Sequence, residues 1–295
     1  MEPKAYYDEK GYFIFPNLIP VKEVDRLLSL YAQEIVPSQN LFFRQNTNKY
    51  ESNRVNEFGF VEQSFLDVHD YKEYPEFSET AKQIACSDRL MKALSQLTDF
   101  NSFNLMQTMI FDANTETSPH QDWWYLDSVP NGHLIAAWIA LEDIDEKAGR
   151  FYVLPKSMKE PDFHSDIPNL SHSEWLAKIK KYTELNQDEI KAPGLKKGDV
   201  LFWNSKLVHG ALPTIDPSFS RKSLTCHYLP SQYKFGNLFT TKEYLKYQTY
   251  QGIKIYRNQP EYSLTNSWKY KIKFLVYDRP ILLKYMRKLQ KTFSN

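Results

Sequence analysis

The sequence has only two cysteines in 295 residues, Cys86 and Cys226. That excludes a disulfide framework, and no Cys-x-x-Cys pair or Cys/His spacing offers a zinc site. No apolar run reaches the roughly 18 residues of a membrane span, so no transmembrane segment is expected. The formal net charge is only +1, which leaves no global field to draw the chain to nucleic acid or a membrane. The opening residues, Met1-Glu-Pro-Lys-Ala-Tyr-Tyr-Asp-Glu, lack the basic-then-apolar pattern of a secretory signal. With cysteine so sparse, a reducing, cytoplasmic setting is the expectation. Internal repeats and low-complexity linkers are also missing. What the chain has is apolar mass, 42% hydrophobic and 15% aromatic, enough for a sizeable core and outside the range of disordered chains.

Local pattern divides the chain into a helical start, a β-rich middle and a basic end. Gly11-Tyr-Phe-Ile-Phe-Pro16 reads as a short strand. Pro20 opens a helix on which Val21, Val24, Leu27, Leu28 and Tyr31 recur at helical spacing. A second helix is expected from Pro75 to about Leu97. Short β-like runs follow: Phe103–Phe111, Leu134–Ile144, Arg150–Leu154, Asp199–Trp203 and Arg221–Leu229. Between them lies a polar insertion, Lys156–Leu185, whose second half reads as a helix capped by Ser171 or Ser173.

His120-Gln121-Asp122 sets an imidazole and a carboxylate two residues apart. In extended backbone, residues i and i+2 face the same way, so both can grip one ion. A histidine on a neighbouring strand would complete a 2-His-1-carboxylate face, the donor set of non-haem iron(II) oxygenases. The pair alone decides nothing, because about 0.4 His-x-Asp matches are expected by chance in such a sequence. A second one exists, His164-Ser-Asp166, and His172-Ser-Glu174 is close to it. Context separates them: His164 lies in a Pro/Asp-rich loop and His172 where a helix is being capped. A surface or core-satisfying role for His120 and Asp122 remains open on this reading.

Further on, Gly198-Asp199 makes a turn, Val200–Trp203 a strand, and His209-Gly210 follows. Pro213 to Ser220 reads as a hairpin loop, which would place His209 and Arg221 on adjacent antiparallel strands. Beyond the loop, Arg221, Ser223, Thr225 and His227 share one face while Leu224, Cys226 and Tyr228 share the other. Such a polar face either meets solvent or lines a polar cavity.

Taken together, Ser118-Pro-His-Gln-Asp-Trp, Ala136-Ala-Trp-Ile-Ala-Leu-Glu-Asp143, Gly149-Arg-Phe-Tyr-Val-Leu-Pro155, Gly198-Asp-Val-Leu-Phe-Trp203, His209-Gly and Arg221-Lys-Ser resemble the phytanoyl-CoA dioxygenase family in order and spacing, over roughly residues 5–230. The resemblance implies a mainly β chain with flanking helices, built on a double-stranded β-helix (a jelly roll with a cupin-like core). It implies a dioxygenase that uses iron(II), O2 and 2-oxoglutarate as co-substrate. His120, Asp122 and His209 match the iron ligands. Arg221 matches the arginine that holds the distal carboxylate of 2-oxoglutarate, a task suited to a planar, permanently charged fork. Ser223 matches a neighbouring hydroxyl donor, and Gln107, Met109 and Trp138 match co-substrate-contacting positions. Trp138 also has small neighbours on its strand face, Ala136 and Ala140, which leave room for a ligand, though a plain core tryptophan fits as well. Relatives that halogenate replace the carboxylate with a small residue, so Asp122 favours hydroxylation, desaturation or ring chemistry on a small-molecule substrate.

Trp123, Trp124, Tyr125 and Asp127 follow the metal motif and are expected to border the substrate mouth beside the insertion, or simply to pack against it. One departure stands out: Pro155-Lys-Ser-Met158 replaces the family's frequent Pro-Gly-Ser-His turn. The resemblance fades after Pro230. A catalytic domain is therefore expected over residues 1–235, with a Tyr/Lys-rich extension over 236–295 packed on it. That extension holds 12 Lys or Arg against 3 Asp or Glu, so it carries +9 and the rest of the chain −8. A basic amphipathic helix after Pro280 would suit an anionic membrane surface or an acidic carrier protein, or would simply brace the domain. Two rival readings are a metal-binding jelly roll that makes no use of 2-oxoglutarate, and a non-catalytic binding protein of the same fold.

Overall fold

The computed structural model describes residues 2–160, 170–239, 241–242, 245–260 and 279. The first third mixes helices with short strands: α1 (Pro3–Lys10), β1 (Tyr12–Phe15), α2 (Val21–Leu30), β2 (Phe42–Phe43), β3 (Tyr50–Glu51), β4 (Phe65–Leu66), α3 (Pro75–Ala85) and α4 (Asp88–Leu97). The remainder is mainly strand: β5 (Phe103–Phe111), β6 (Asp127–Val129), β7 (Ile135–Ala140), β8 (Phe151–Val153), α5 (His172–Leu185), β9 (Val200–Asn204), β10 (His209–Ala211), β11 (Ser223–Pro230), β12 (Lys234–Gly236), β13 (Tyr247–Tyr250) and β14 (Ile253–Tyr256).

A large sheet runs in the order β1-β9-β7-β11-β5-β14-β13, with β4 also pairing to β5. The alternation of its strands gives it two different faces. Ile135, Ala137 and Ile139 of β7, Val200 and Phe202 of β9, and Leu224, Cys226 and Tyr228 of β11 share one core with Leu27 of α2, Phe77 of α3 and Leu94 of α4. Burying each large apolar side chain there contributes about 1.5–3 kcal/mol. The opposite face, with Trp138, Trp203, Thr225 and His227, turns inward. It looks toward a much smaller sheet, β8 paired to β10, which is widened by isolated bridges from His120 to His209 and from Val153 to Lys191. The fold is a jelly roll, with the site between its two sheets.

The helix expected over Pro75–Leu97 is two helices. The apolar stripe runs through, but Ser87 accepts a hydrogen bond from Leu90 N and caps a fresh start at Asp88. The insertion helix α5 starts with a capping box, Ser171 and Glu174, which settles the cap in favour of Ser171. The pairing expected between His209 and Arg221 is absent. β10 pairs with β8 and β11 pairs with β5 and β7, so the loop between them crosses from one sheet to the other. Of the basic extension, β13 and β14 form a hairpin, and Ile255 pairs with Leu105 of β5 to join the large sheet. The helix expected after Pro280 lies outside the described residues, as do His164 and Asp166.

Candidate metal centre

His120 and His209 are locked side by side by two backbone hydrogen bonds, each N–H donating to the other residue's carbonyl at 3.0 Å. Their rings stand 4.3 Å apart between centroids. Gln121 is extended (φ −124°, ψ 139°), which returns Asp122 to the same side as His120 before a 3-10 turn begins at Asp122. Asp122 Oδ1 lies 3.8 Å from His120 Nε2 and 3.5 Å from His209 Nε2. One donor atom from each of the three residues fits within 4.8 Å of the others.

The imidazoles are oriented for a metal. His120 Nδ1 pairs with Ser118 O at 2.8 Å and His209 Nδ1 with Leu207 O at 2.9 Å. A carbonyl can only accept, so each Nδ1 carries the proton and each Nε2 presents a lone pair, the usual outer-shell device in metal sites. Burial pushes the His120 imidazole down to about 4, so this ring is neutral at neutral pH. Burial pushes the Asp122 carboxyl up, yet its surroundings hold the group well below the usual carboxylate range. Trp203 Nε1–H donates to Asp122 Oδ2 at 2.8 Å.

The turn after β8 braces His209 from behind. Ser157 Oγ donates to Leu154 O at 2.7 Å and accepts from Val208 N at 2.8 Å. Lys156, where the family often has glycine, holds the turn in the left-handed region with φ 68°.

The ligands open on a cavity that is also lined by Met109, Trp138 and Arg221. Arg221 is 2% exposed. Its Nη1 donates to Gly149 O at 3.3 Å, while its Nε has no partner. Among the described residues no carboxylate lies within ion-pair distance of it. Burial alone pushes the guanidinium down to about 10, so it stays charged at neutral pH. An isolated buried cation is costly unless something anionic joins it, and none of the described residues supplies such a group. The neighbouring Lys222 is spoken for, at 3.3 Å from Asp112 Oδ1 and 3.5 Å from Glu142 Oε2.

The remaining sequence candidates separate. Ser223 is fully buried with an unpartnered hydroxyl, on the Arg221 face but outside the cavity lining. Gln107 sits opposite His227 in the β11–β5 register and does not line the cavity either. Trp123 and Trp124 do not border the cavity. The 3-10 turn swings them into a core with Trp175 and Ile179 of α5, where Trp124 stacks on Trp175 at 4.6 Å. Asp127 is a structural staple, its carboxylate accepting from the backbone N–H groups of Ser128, Gly132 and Leu134. Tyr125 is the nearest of the four, with its ring 6.1 Å from that of His120 and its hydroxyl 2.7 Å from His172 Nε2. His227, on the polar face read from alternation, lines the cavity; Trp203, Phe151 and Gln45 also line it and were not singled out from sequence. Alternation along β9 contains the signal for Trp203, whereas nothing local marks Gln45.

A jelly roll whose cavity gathers two Nε2-presenting histidines, one carboxylate and a buried unpaired arginine defines an iron(II)- and 2-oxoglutarate-dependent dioxygenase. The phytanoyl-CoA dioxygenase (PhyH) family model matches residues 7–223. The human protein "Phytanoyl-CoA dioxygenase, peroxisomal" is 24% identical over 95% of this chain and 83% of its own. Among solved structures, the non-heme alpha ketoglutarate dependent carbocyclase SnoK from nogalamycin biosynthesis superposes with a TM-score of 0.59 at 16% identity, covering 79% of this chain and 85% of that one. The epimerase SnoN, solved with Fe3+, alpha ketoglutarate and nogalamycin RO, gives 0.59 at 16% over 87% and 95%. The chain belongs to the phytanoyl-CoA dioxygenase family. Among the described residues, no helix is long and apolar enough to cross a membrane.

Proposed function

We propose that the chain oxidises a small molecule by hydroxylation or desaturation, consuming O2 and 2-oxoglutarate and releasing succinate and CO2. His120, Asp122 and His209 hold the iron in this reading, and Arg221 clamps the distal carboxylate of 2-oxoglutarate. The observation that carries it is the unpaired Arg221 guanidinium, buried in the same cavity as three converging donor atoms. A cupin-like protein with no carboxylate co-substrate has no use for such a cation.

The donor set fits the metal, since three neutral or anionic atoms leave further coordination positions free. Bound iron supplies the activation of O2 that organic side chains cannot. The chain supplies placement. Ser118 O and Leu207 O fix which histidine nitrogens face the cavity. Trp138 and Phe151 stack at 5.9 Å and give the co-substrate an apolar wall that excludes water. Met109 lines the same space, while Ser223 and Gln107 stand outside its lining. Retention of Asp122, rather than a small residue, favours hydroxylation or desaturation over halogenation.

Substrate entry is assigned to the side of Tyr125, at the junction with α5. Residues 1–235 are read as the catalytic domain, with 236–295 as an extension on it. The extension's +9 charge suits docking to an anionic surface or an acidic carrier. Salt-sensitive binding to anionic vesicles, lost on deleting residues 280–295, tests that. Two buried free cysteines suit a reducing compartment such as the cytoplasm.

The test of the reaction is mass-spectrometric screening of candidate small molecules with iron(II) and 2-oxoglutarate. The reading expects gain of one oxygen or loss of two hydrogens, matched by succinate. Oxygen uptake without succinate would move the chain to the cupin-like class, and failure to bind iron would make it a binding protein.

A further inference from the structure

Asp122 has two chemically different oxygens. Oδ1 faces His120 Nε2 and His209 Nε2. Oδ2 points the other way, accepting from Trp203 Nε1–H at 2.8 Å, with His227 Nε2 3.6 Å from it. Trp203 comes from β9 and His227 from β11, both on the inward face of the large sheet. Both are 2% exposed and both line the cavity. The tryptophan contact is a full hydrogen bond, whereas the histidine contact is an electrostatic approach just beyond one.

Resting on the reading of Asp122 as a metal ligand, we infer that Trp203 and His227 are positioning residues that hold Oδ2 away from the metal, so that Asp122 binds through Oδ1 alone. An unrestrained carboxylate can turn and offer both oxygens to a cation. That would fill a coordination position needed for the co-substrate or O2. An N–H donor on Oδ2 opposes the turn, because rotation breaks a charge-assisted bond in a dry site. An indole suits this because it donates and cannot accept, and so cannot compete for the metal. His227 acts the same way while its Nε2 carries the proton. Its Nδ1 is buried without a partner among the described residues, so none of them forces the opposite tautomer.

The test is titration of the purified protein with cobalt(II), a stand-in for iron(II) whose visible absorption reports coordination number. Trp203→Phe keeps the ring packing and removes the donor. It should weaken cobalt(II) binding about 10–100-fold, the usual effect of removing an outer-shell partner, and shift the absorption toward a higher coordination number. For His227, the amide of Gln reaches the position of Nε2 and that of Asn reaches only Nδ1. His227→Gln should therefore stay near wild type, while His227→Asn shifts in the direction of Trp203→Phe by a smaller amount. A packing role would instead disturb both His227 variants alike. If Asp122→Ala abolishes cobalt(II) binding while Trp203→Phe and His227→Asn bind with wild-type affinity and spectrum, the positioning inference is overturned. If Asp122→Ala itself binds normally, it is the ligand assignment that fails.

Discussion

Arg221 supplies a prediction with two opposite signs. In the ligand-free protein its guanidinium is buried with no carboxylate beside it among the described residues, and burial lowers its pKa from 12.5 to about 10. That depression corresponds to a folding penalty of about 3 kcal/mol for the charged form, an upper bound because the cavity opens to water. Arg221→Met fills much of the volume and removes the charge. The variant should therefore unfold at a higher temperature than wild type in the absence of ligand, by a few degrees in a chain this long. With 2-oxoglutarate the gap should close. Wild type, loaded with manganese(II), should gain about 2.7 kcal/mol at a hundredfold excess over Kd, whereas the variant should gain almost nothing. Loss of the clamp should cost about 2–5 kcal/mol of co-substrate binding, and Arg221→Lys should restore only part, since an ammonium cannot form the fork. Thermal unfolding of both proteins, with and without 2-oxoglutarate, reads both signs. A ligand-free variant less stable than wild type that still responds to 2-oxoglutarate would refute the reasoning.

His120→Ala, Asp122→Ala and His209→Ala should each abolish turnover, while His172→Ala, at the start of α5, should retain most of it; full activity in His120→Ala would remove the metal assignment. Lys156→Gly relieves a left-handed backbone worth about 1 kcal/mol, so urea denaturation should show up to that gain, and a clear loss would mean the lysine side chain matters to the turn. His69 is buried against Thr108, and burial lowers it to about 3. The unfolded chain takes up this proton below about pH 6.5 and the folded chain only near 3. The resulting stability is intact above 6.5 and falls with pH between these values, by up to about 1.4 kcal/mol per unit. His69→Gln should flatten that slope, and an unchanged slope would place the acid sensitivity elsewhere.

How much of this was legible in the sequence depended on whether the information was local. Alternation alone placed Arg221, just ahead of β11, on one face with Thr225 and His227 of that strand, and the structure turns that face inward. The spacing of His120 and Asp122 gives a common side because Gln121 is extended. One residue later the same logic fails. Trp123 and Trp124 follow a 3-10 turn rather than a strand, and they end on α5, some fifty residues away in sequence. Ser87 breaks a helix that its apolar stripe would continue, because an N-cap is a single-residue signal inside a longer pattern. Gln45 arrives at the cavity by a tertiary route that no motif encodes.

The misplaced pairing of His209 and Arg221 follows from the same limit and says the most about the site. Pro213 and Asp216-Pro217 mark a chain reversal, and a reversal between paired strands reads the same as an arch between facing sheets. The arch is what gives the site its geometry. His120 and His209 belong to the small sheet, while Met109, Trp138 and the two groups facing Asp122 Oδ2 belong to the large one, with Arg221 just ahead of its strand β11. Adjacent strands would have set metal and co-substrate clamp side by side on one surface, open to water. Facing sheets set them across a cavity from each other, so that a ligand spanning metal and Arg221 must lie between the sheets. Each sheet contributes some of the binding groups, and neither set is a site without the packing that joins them.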